Sequence, residues 1–212
     1  MSGFLITFEG GDGCGKSTQI KKFVAYLAKK GVDYICTREP GGTDVGEQIR
    51  EILLHSKADL SPETEFLLFS ASRSKIVEDV IKPALKSGKV VVLDRYYDSS
   101  YTYQGYAGDL DLNDLKNITE FAIKGTVPNL TILLDLSYDD AMERKSKDDT
   151  LKVEGLDRIE KKGKAYHDKV REGYLKLASE NRDRIVVIDA NQPVEKIAQS
   201  IINTFESRWN RK

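Results

Sequence analysis

The chain carries only two cysteines, Cys14 and Cys36, among its 212 residues, too few for a disulfide framework and wrongly spaced for a thiolate metal site. Such sparing use suits a reducing compartment. Histidine is as scarce. His55 and His167 have no suitable partner nearby in sequence, so both are expected on helix surfaces without a catalytic role. There is no Pro- or Ser-rich linker, internal repeat or low-complexity tract, so residues 1–212 read as a single domain. A surplus of charge is also missing: 33 Lys and Arg face 34 Asp and Glu, which leaves no global basic field to attract nucleic acid. No apolar run approaches the ~20 residues needed to cross a bilayer. The opening Met-Ser-Gly-Phe has no basic leader, so a soluble cytoplasmic protein with no membrane partner is expected.

Glycine, by contrast, is concentrated in one place. Gly10-Gly11-Asp12-Gly13-Cys14-Gly15-Lys16-Ser17 supplies Gly, four residues and Gly-Lys-Ser, directly after the apolar run Phe4-Leu5-Ile6-Thr7-Phe8. A helical pattern follows from Lys16 to Lys30, with Ile20, Phe23, Val24 and Leu27 on one face. Strand, glycine loop and helix in that order make a P-loop. Its backbone N–H groups turn around phosphate oxygens, the helix N-terminus adds partial positive charge, and Lys16 reaches the terminal phosphates. The Ser17 hydroxyl is placed to ligate Mg²⁺. The motif specifies a nucleotide phosphate but not the reaction. A conformational switch or regulatory ATP-binding module stays open at this point, although no Asn-Lys-x-Asp guanine-reading tetrapeptide occurs.

Five short β-rich runs alternate with helical patterns: Phe4 to Glu9, Asp33 to Thr37, Lys89 to Asp94, Leu130 to Asp135 and Arg184 to Asp189. That alternation predicts an α/β P-loop fold, a five-stranded parallel sheet with helices on both faces. Helix starts are expected at Asp44, Ser61, Asp111, Ser137 and Pro193, and Pro62 to Leu85 reads as one long, broken helix. Residues 144–164 are dense in Lys, Asp and Glu and poor in large apolar side chains. They fit a solvated surface segment or a lid over the nucleotide. Three strands end in Asp. Asp94 is the preferred Mg²⁺ carboxylate because Arg95 follows it, putting a metal-side anion and a phosphate-bridging cation at one strand end. Asp135 and Asp189 are expected to cap the turns that follow them.

Four further motifs carry a family resemblance: Phe8-Glu9-Gly10, Thr37-Arg38-Glu39-Pro40-Gly41-Gly42-Thr43, Phe69-Ser70-Ala71-Ser72-Arg73, and Asp94-Arg95-Tyr96 running into Ser99-Ser100-Tyr101-Thr102-Tyr103-Gln104-Gly105. Together, in this order and over nearly the whole chain, they resemble the thymidylate kinases. The resemblance implies Mg²⁺-assisted transfer of the ATP γ-phosphoryl group to dTMP in dTTP synthesis, by a homodimer. It implies an ATP site formed by residues 10–17 with Thr18, and a dTMP site that includes Glu39, Pro40 and Ser99. Arg95 would lie between the two phosphates and Arg50 would contact the dTMP phosphate. Arg38 is a further candidate there, with a strand-end ion pair as its alternative.

By the same resemblance, Phe69 stacks on thymine and Arg73 donates to a base carbonyl. Ser100 and Gln104, four residues apart on a helix, read the polar edge of the base. Tyr103 crowds the sugar 2′ carbon and Asp12 approaches the 3′-hydroxyl. The P-loop positions Gly11, Asp12, Gly13 and Cys14 include no basic residue, so part of the catalytic charge is expected from the lid. Arg158 is the first candidate there, with Arg144 stacking on adenine. Nearby alternatives are kinases acting on dUMP or on a nucleoside.

Overall fold

The computed structural model describes residues 3–56, 58–147 and 162–209. Five strands form one fully parallel sheet: β1 (Phe4–Glu9), β2 (Tyr34–Arg38), β3 (Val90–Asp94), β4 (Leu130–Asp135) and β5 (Ile185–Asp189), in the order β2-β3-β1-β4-β5. The expected strands are all present, with starts shifted by one residue in three of them. β1 is buried along its whole length because both its faces are covered, as its unbroken apolar run requires. The chain leaves β1 toward β3 and β2 on one side and reaches β4 and β5 on the other. The crevice at the C-terminal end of β1 is therefore where the loops diverge and a ligand can enter.

Helix α1 (Lys16–Lys29) packs Ile20, Phe23 and Leu27 on the sheet together with Ile197, Ile201 and Phe205 of α9 (Val194–Trp209). Phe23 and Phe205 meet edge to face at 5.1 Å. Each such fully buried side chain contributes about 1.5–3 kcal/mol of transfer free energy. The other face is covered by α3 (Pro62–Ile76), which runs through a π-helical turn at Val77–Ile81 into α4 (Lys82–Lys86). The expected break in this long segment is thus a widened turn in a helix that continues. A second π turn, Tyr101–Tyr106, extends α5 (Tyr97–Ser100).

The remaining helices are α2 (Asp44–His55), α6 (Leu112–Ile123), α7 (Tyr138–Lys147) and α8 (Lys164–Glu180). Side-chain caps start four helices: Thr43 accepts from Gly46 N–H for α2, Ser61 from Thr64 for α3, Asp111 from Asn113 and Asp114 for α6, and Ser137 from Asp140 for α7, whereas α8 starts at Gly163 without one. Both ends of the expected lid, 144–147 and residue 164, are helical, belonging to α7 and α8. Arg158 and residues 148–161 lie outside the described residues.

Candidate active site

The P-loop follows β1 through glycines whose backbone no other residue adopts easily. Gly10 has φ +140°, and a Cβ there would come within 2.5 Å of the Leu134 carbonyl oxygen. Gly15, with φ 93°, is the left-handed residue from which α1 starts. Lys16 is largely buried, and its Nζ donates to the carbonyls of Gly10 and Gly11 at 3.1 and 3.3 Å, so the loop is folded around its own ammonium group. Ser17 and Thr18 are exposed in the first turn. Cys14 is buried behind the loop, with its Sγ 4.0 Å from Lys16 Nζ, as a small residue filling a tight turn would be.

Arg95 stands where the two halves of the site meet. Its Nη2 donates to Asp12 Oδ1 at 2.5 Å and to Tyr103 Oη at 3.1 Å, and its Nη1 to Ser99 Oγ and Tyr174 Oη, both at 3.2 Å. Its backbone is left-handed, φ 64°, which costs a non-glycine residue about 1–3 kcal/mol and persists only where surroundings over-determine it. Burial opposes ionisation of Asp12, but Arg95 and then Lys16 outweigh it and draw the carboxyl down to about 2.

One cleft, with room of about 160 Å³, opens beside Arg95 and Asp12. Glu39, Pro40, Arg50, Phe69, Arg73, Ser99, Ser100, Tyr103 and Gln104 line it, together with Asp12 and Arg95. Almost the whole set proposed for the acceptor from sequence therefore converges. Arg38 does not: it is exposed and paired with Glu47 at 2.8 Å, the strand-end ion pair that was its alternative. Arg73 is wholly buried, fixed by Glu39 at 2.9 Å and by Ser100 Oγ at 3.0 Å. Its Nη1 is buried and, among the described residues, unpartnered, as is Glu39 Oε1. Such orphaned groups are rare and call for a ligand. Burial pushes the Glu39 carboxyl up to about 7, with Arg73 resisting. Gln104 Nε2 faces Glu65 Oε2 at 3.4 Å. A carboxylate only accepts, so the amide keeps its oxygen for another donor. Arg50 donates to the Pro40 carbonyl at 3.1 Å, across a cis Glu39–Pro40 peptide.

A second cleft lies on the other side of Asp12, bounded by Gly11, Ser137, Tyr138, Lys145, His167 and Arg171 among others. Asp12 is common to both. A Cβ on Gly13 would come within 3.3 Å of Lys145 Cε, so a cation of α7 already lies against the P-loop. His167 corrects the sequence expectation of a helix surface: it is half-buried and stacks on Tyr138 at 5.5 Å and 18°. His55 is exposed, as expected. Arg144 turns to the loop after β5 and donates to the Ala190 carbonyl at 2.6 Å. Asp135 does not cap a turn. Arg171 holds both its oxygens, at 2.7 and 2.8 Å, whereas Asp189 accepts from Asn191 N–H as a cap should.

Asp94 ends β3 opposite Phe8 and Arg38, and its Oδ1 is buried and, among the described residues, without a hydrogen-bond partner. A carboxylate oxygen left in that condition beside a P-loop fits a cation ligand. Glu9 and Tyr174 also reach the site, through Ser99 and Arg95, and sequence reasoning gave neither a place in it. Glu9 sits in a quoted motif without a role, and nothing around Tyr174 in sequence distinguishes it from its helix neighbours.

A family model for thymidylate kinase matches residues 8–201. A thymidylate kinase of Thermoanaerobacter sp. (strain X514) is 46% identical over 206 residues, covering 97% of this chain and 98% of the relative. One from Chlorobium luteolum is 43% identical over 212 residues, covering 98% and 99%. The crystal structure of thymidylate kinase from Ehrlichia chaffeensis superposes with a TM-score of 0.77 at 29% identity, covering 97% of this chain and 99% of that one.

Proposed function

The chain belongs to the thymidylate kinase family and phosphorylates dTMP to dTDP at the expense of ATP, and from that premise we propose how its own residues divide the task. The observation that carries the assignment is Asp12, common to the two clefts and paired with Arg95 in the wall of the acceptor cleft. Phosphoryl transfer needs little covalent chemistry and much charge placement. Lys16 holds the donor phosphates, Arg95 bridges donor and acceptor, and Arg50 takes the acceptor phosphate. Phe69 stacks on thymine. The Nη1 of Arg73, without a hydrogen-bond partner among the described residues, donates to a base carbonyl, and Gln104 offers an acceptor to the ring N–H. Tyr103 excludes a 2′-hydroxyl and Asp12 accepts from the 3′-hydroxyl. Ser17 and Asp94 would hold Mg²⁺, which neutralises charge on the phosphate oxygens. Arg144 serves the adenine, and Arg158 with Lys145 supplies the cation that the P-loop lacks.

A homodimer fits the surface. Val45 and Ile52 on α2, Leu67 on α3 and Phe121 on α6 are exposed apolar side chains on three helices that pack in sequence, α2 on α3 and α3 on α6. Phe121 is 82% exposed, and a patch of this kind marks an interaction site. Sedimentation of the protein against Phe121→Asp is expected to read dimer and monomer. Among the described residues no helix is long and apolar enough to cross a membrane, and a cytoplasmic location is proposed on that and on the free thiols. The activity is tested by ADP release with dTMP, dUMP, dCMP, dGMP, AMP and thymidine as acceptors. A preference for any acceptor other than dTMP overturns the base-reading assignment.

A further inference from the structure

Glu9 closes β1, one residue before the P-loop, and is wholly buried. Its Oε1 accepts the Tyr96 N–H at 2.7 Å, and its Oε2 accepts Ser99 Oγ at 2.6 Å and Tyr174 Oη at 2.7 Å. Those two hydroxyls are 2.8 Å apart, and both accept from the same nitrogen, Nη1 of Arg95. With Glu9 as a carboxylate, both hydroxyls can serve it and Arg95 together. Each hydroxyl gives its single proton to Glu9 and so turns its lone pairs to Arg95, which a carboxylate, an acceptor only, permits on both at once. A protonated Glu9 would become a donor, and the hydroxyl accepting from it would turn its own proton to the other, 2.8 Å away, while the charge that attracts Arg95 is lost.

Packing alone does not account for this acid. An apolar side chain would fill the end of β1 without the cost of burying a carboxylate, and here Asp98 lies close enough to raise that cost. We propose that Glu9 is a positioning residue for phosphoryl transfer, which as a carboxylate fixes the guanidinium of Arg95, beside the Asp12 that the two clefts share, through Ser99 and Tyr174. The proposal rests on the transfer role assigned to Arg95 above. The left-handed backbone of Arg95 agrees with it, since a strained residue needs its side chain held on several sides.

The groups facing Glu9 come from four elements: Arg95, Tyr97 and Asp98 after β3, Tyr174 on α8, Arg184 ahead of β5, and Glu39 after β2. Asp98 is neutralised in turn by Arg184 at 2.6 Å. Burial, then Asp98, holds the Glu9 carboxyl up to about 7, with Arg95 and the two hydroxyls resisting. The switch from hydroxyl-accepting carboxylate to donor therefore falls near neutral pH.

The test compares kcat of the wild-type protein and Glu9→Gln across pH at saturating MgATP and dTMP. Ionisation of the substrate phosphates is common to both and cancels in the ratio. The wild-type to variant ratio is expected to rise about tenfold between roughly pH 6 and pH 8, as one carboxyl ionises. A ratio that is flat with pH overturns the proposal, because loss of packing alone would lower kcat equally throughout. Tyr174→Phe keeps the ring and removes one donor to the carboxylate. It is expected to lower kcat and to move the acid limb to higher pH. If Glu9→Gln does not fold, a Tyr174→Phe profile that superposes on the wild type overturns the proposal by itself. A wild-type protein without dTMP-dependent turnover would count against the parent assignment instead.

Discussion

Single side chains in this protein are decided by whether their polar atoms find partners. Lys16 satisfies its ammonium group on the Gly10 and Gly11 carbonyls, and phosphate oxygens would compete for those same protons. Lys16→Ala is expected to lower kcat by about 10²- to 10³-fold, the usual consequence of removing one aligned charge, while the thermal midpoint moves little. Full activity in that variant would remove Lys16 from the mechanism. Arg73 and Glu39 show how far residue types were legible. That Phe69 and Arg73 would face the acceptor was implied by the family resemblance, with helical spacing putting the two on one face, and both line the cleft. That Glu39 fixes it at 2.9 Å did not follow, because the two are 34 positions apart and an ion pair between elements leaves no local pattern. Arg38 illustrates the opposite case. It sits in a quoted motif, yet Glu47 is nearer than the cleft and takes it.

At the scale of elements, strands and helix starts were readable because each has a local physical signal. The three central apolar runs are buried and the two edge strands partly covered, and Ser61, Asp111 and Ser137 are short polar side chains able to take the orphan N–H groups of a first turn. Asp111 is exposed and distant in role from both clefts, so Asp111→Ala is expected to cost about 1 kcal/mol in urea denaturation and leave kcat unchanged. A larger loss, or altered turnover, would mean that α6 is coupled to the site. The two π turns were not readable. A π turn is an extra residue accommodated within a helix, and its apolar spacing is only slightly different from the regular one. Both follow segments that present site residues: Val77–Ile81 after Phe69 and Arg73, Tyr101–Tyr106 carrying Tyr103 and Gln104.

For the whole molecule, the buried carboxyls set how stability varies with pH. Glu9 and Glu39 are held up to about 7 in the fold from an ordinary 4.5, so between those values the native state binds more protons than the unfolded chain. Stability of the ligand-free protein is therefore expected to fall as pH rises from about 4.5 to about 7, then to level off. Asp12, drawn down to about 2, acts the other way and contributes stability that is lost as pH falls from its ordinary 3.8 toward 2. Urea midpoints measured across this range check both limbs, and Glu9→Gln should remove part of the upper one. A midpoint that climbs steadily from pH 4.5 to pH 7 would contradict the burial of these acids. Sequence alone was enough for the parallel sheet and the P-loop, because periodicity, caps and glycine spacing act between near neighbours, while the reaction was implied by the family resemblance of four ordered motifs. Only the tertiary structure decided that Asp12 belongs to both clefts, that His167 stacks against Tyr138, and that Glu9 and Tyr174, 165 residues apart, converge on Arg95. Those are contacts between strand ends and helix faces that chain order leaves far apart, and their hydrogen bonds have no counterpart in any local pattern.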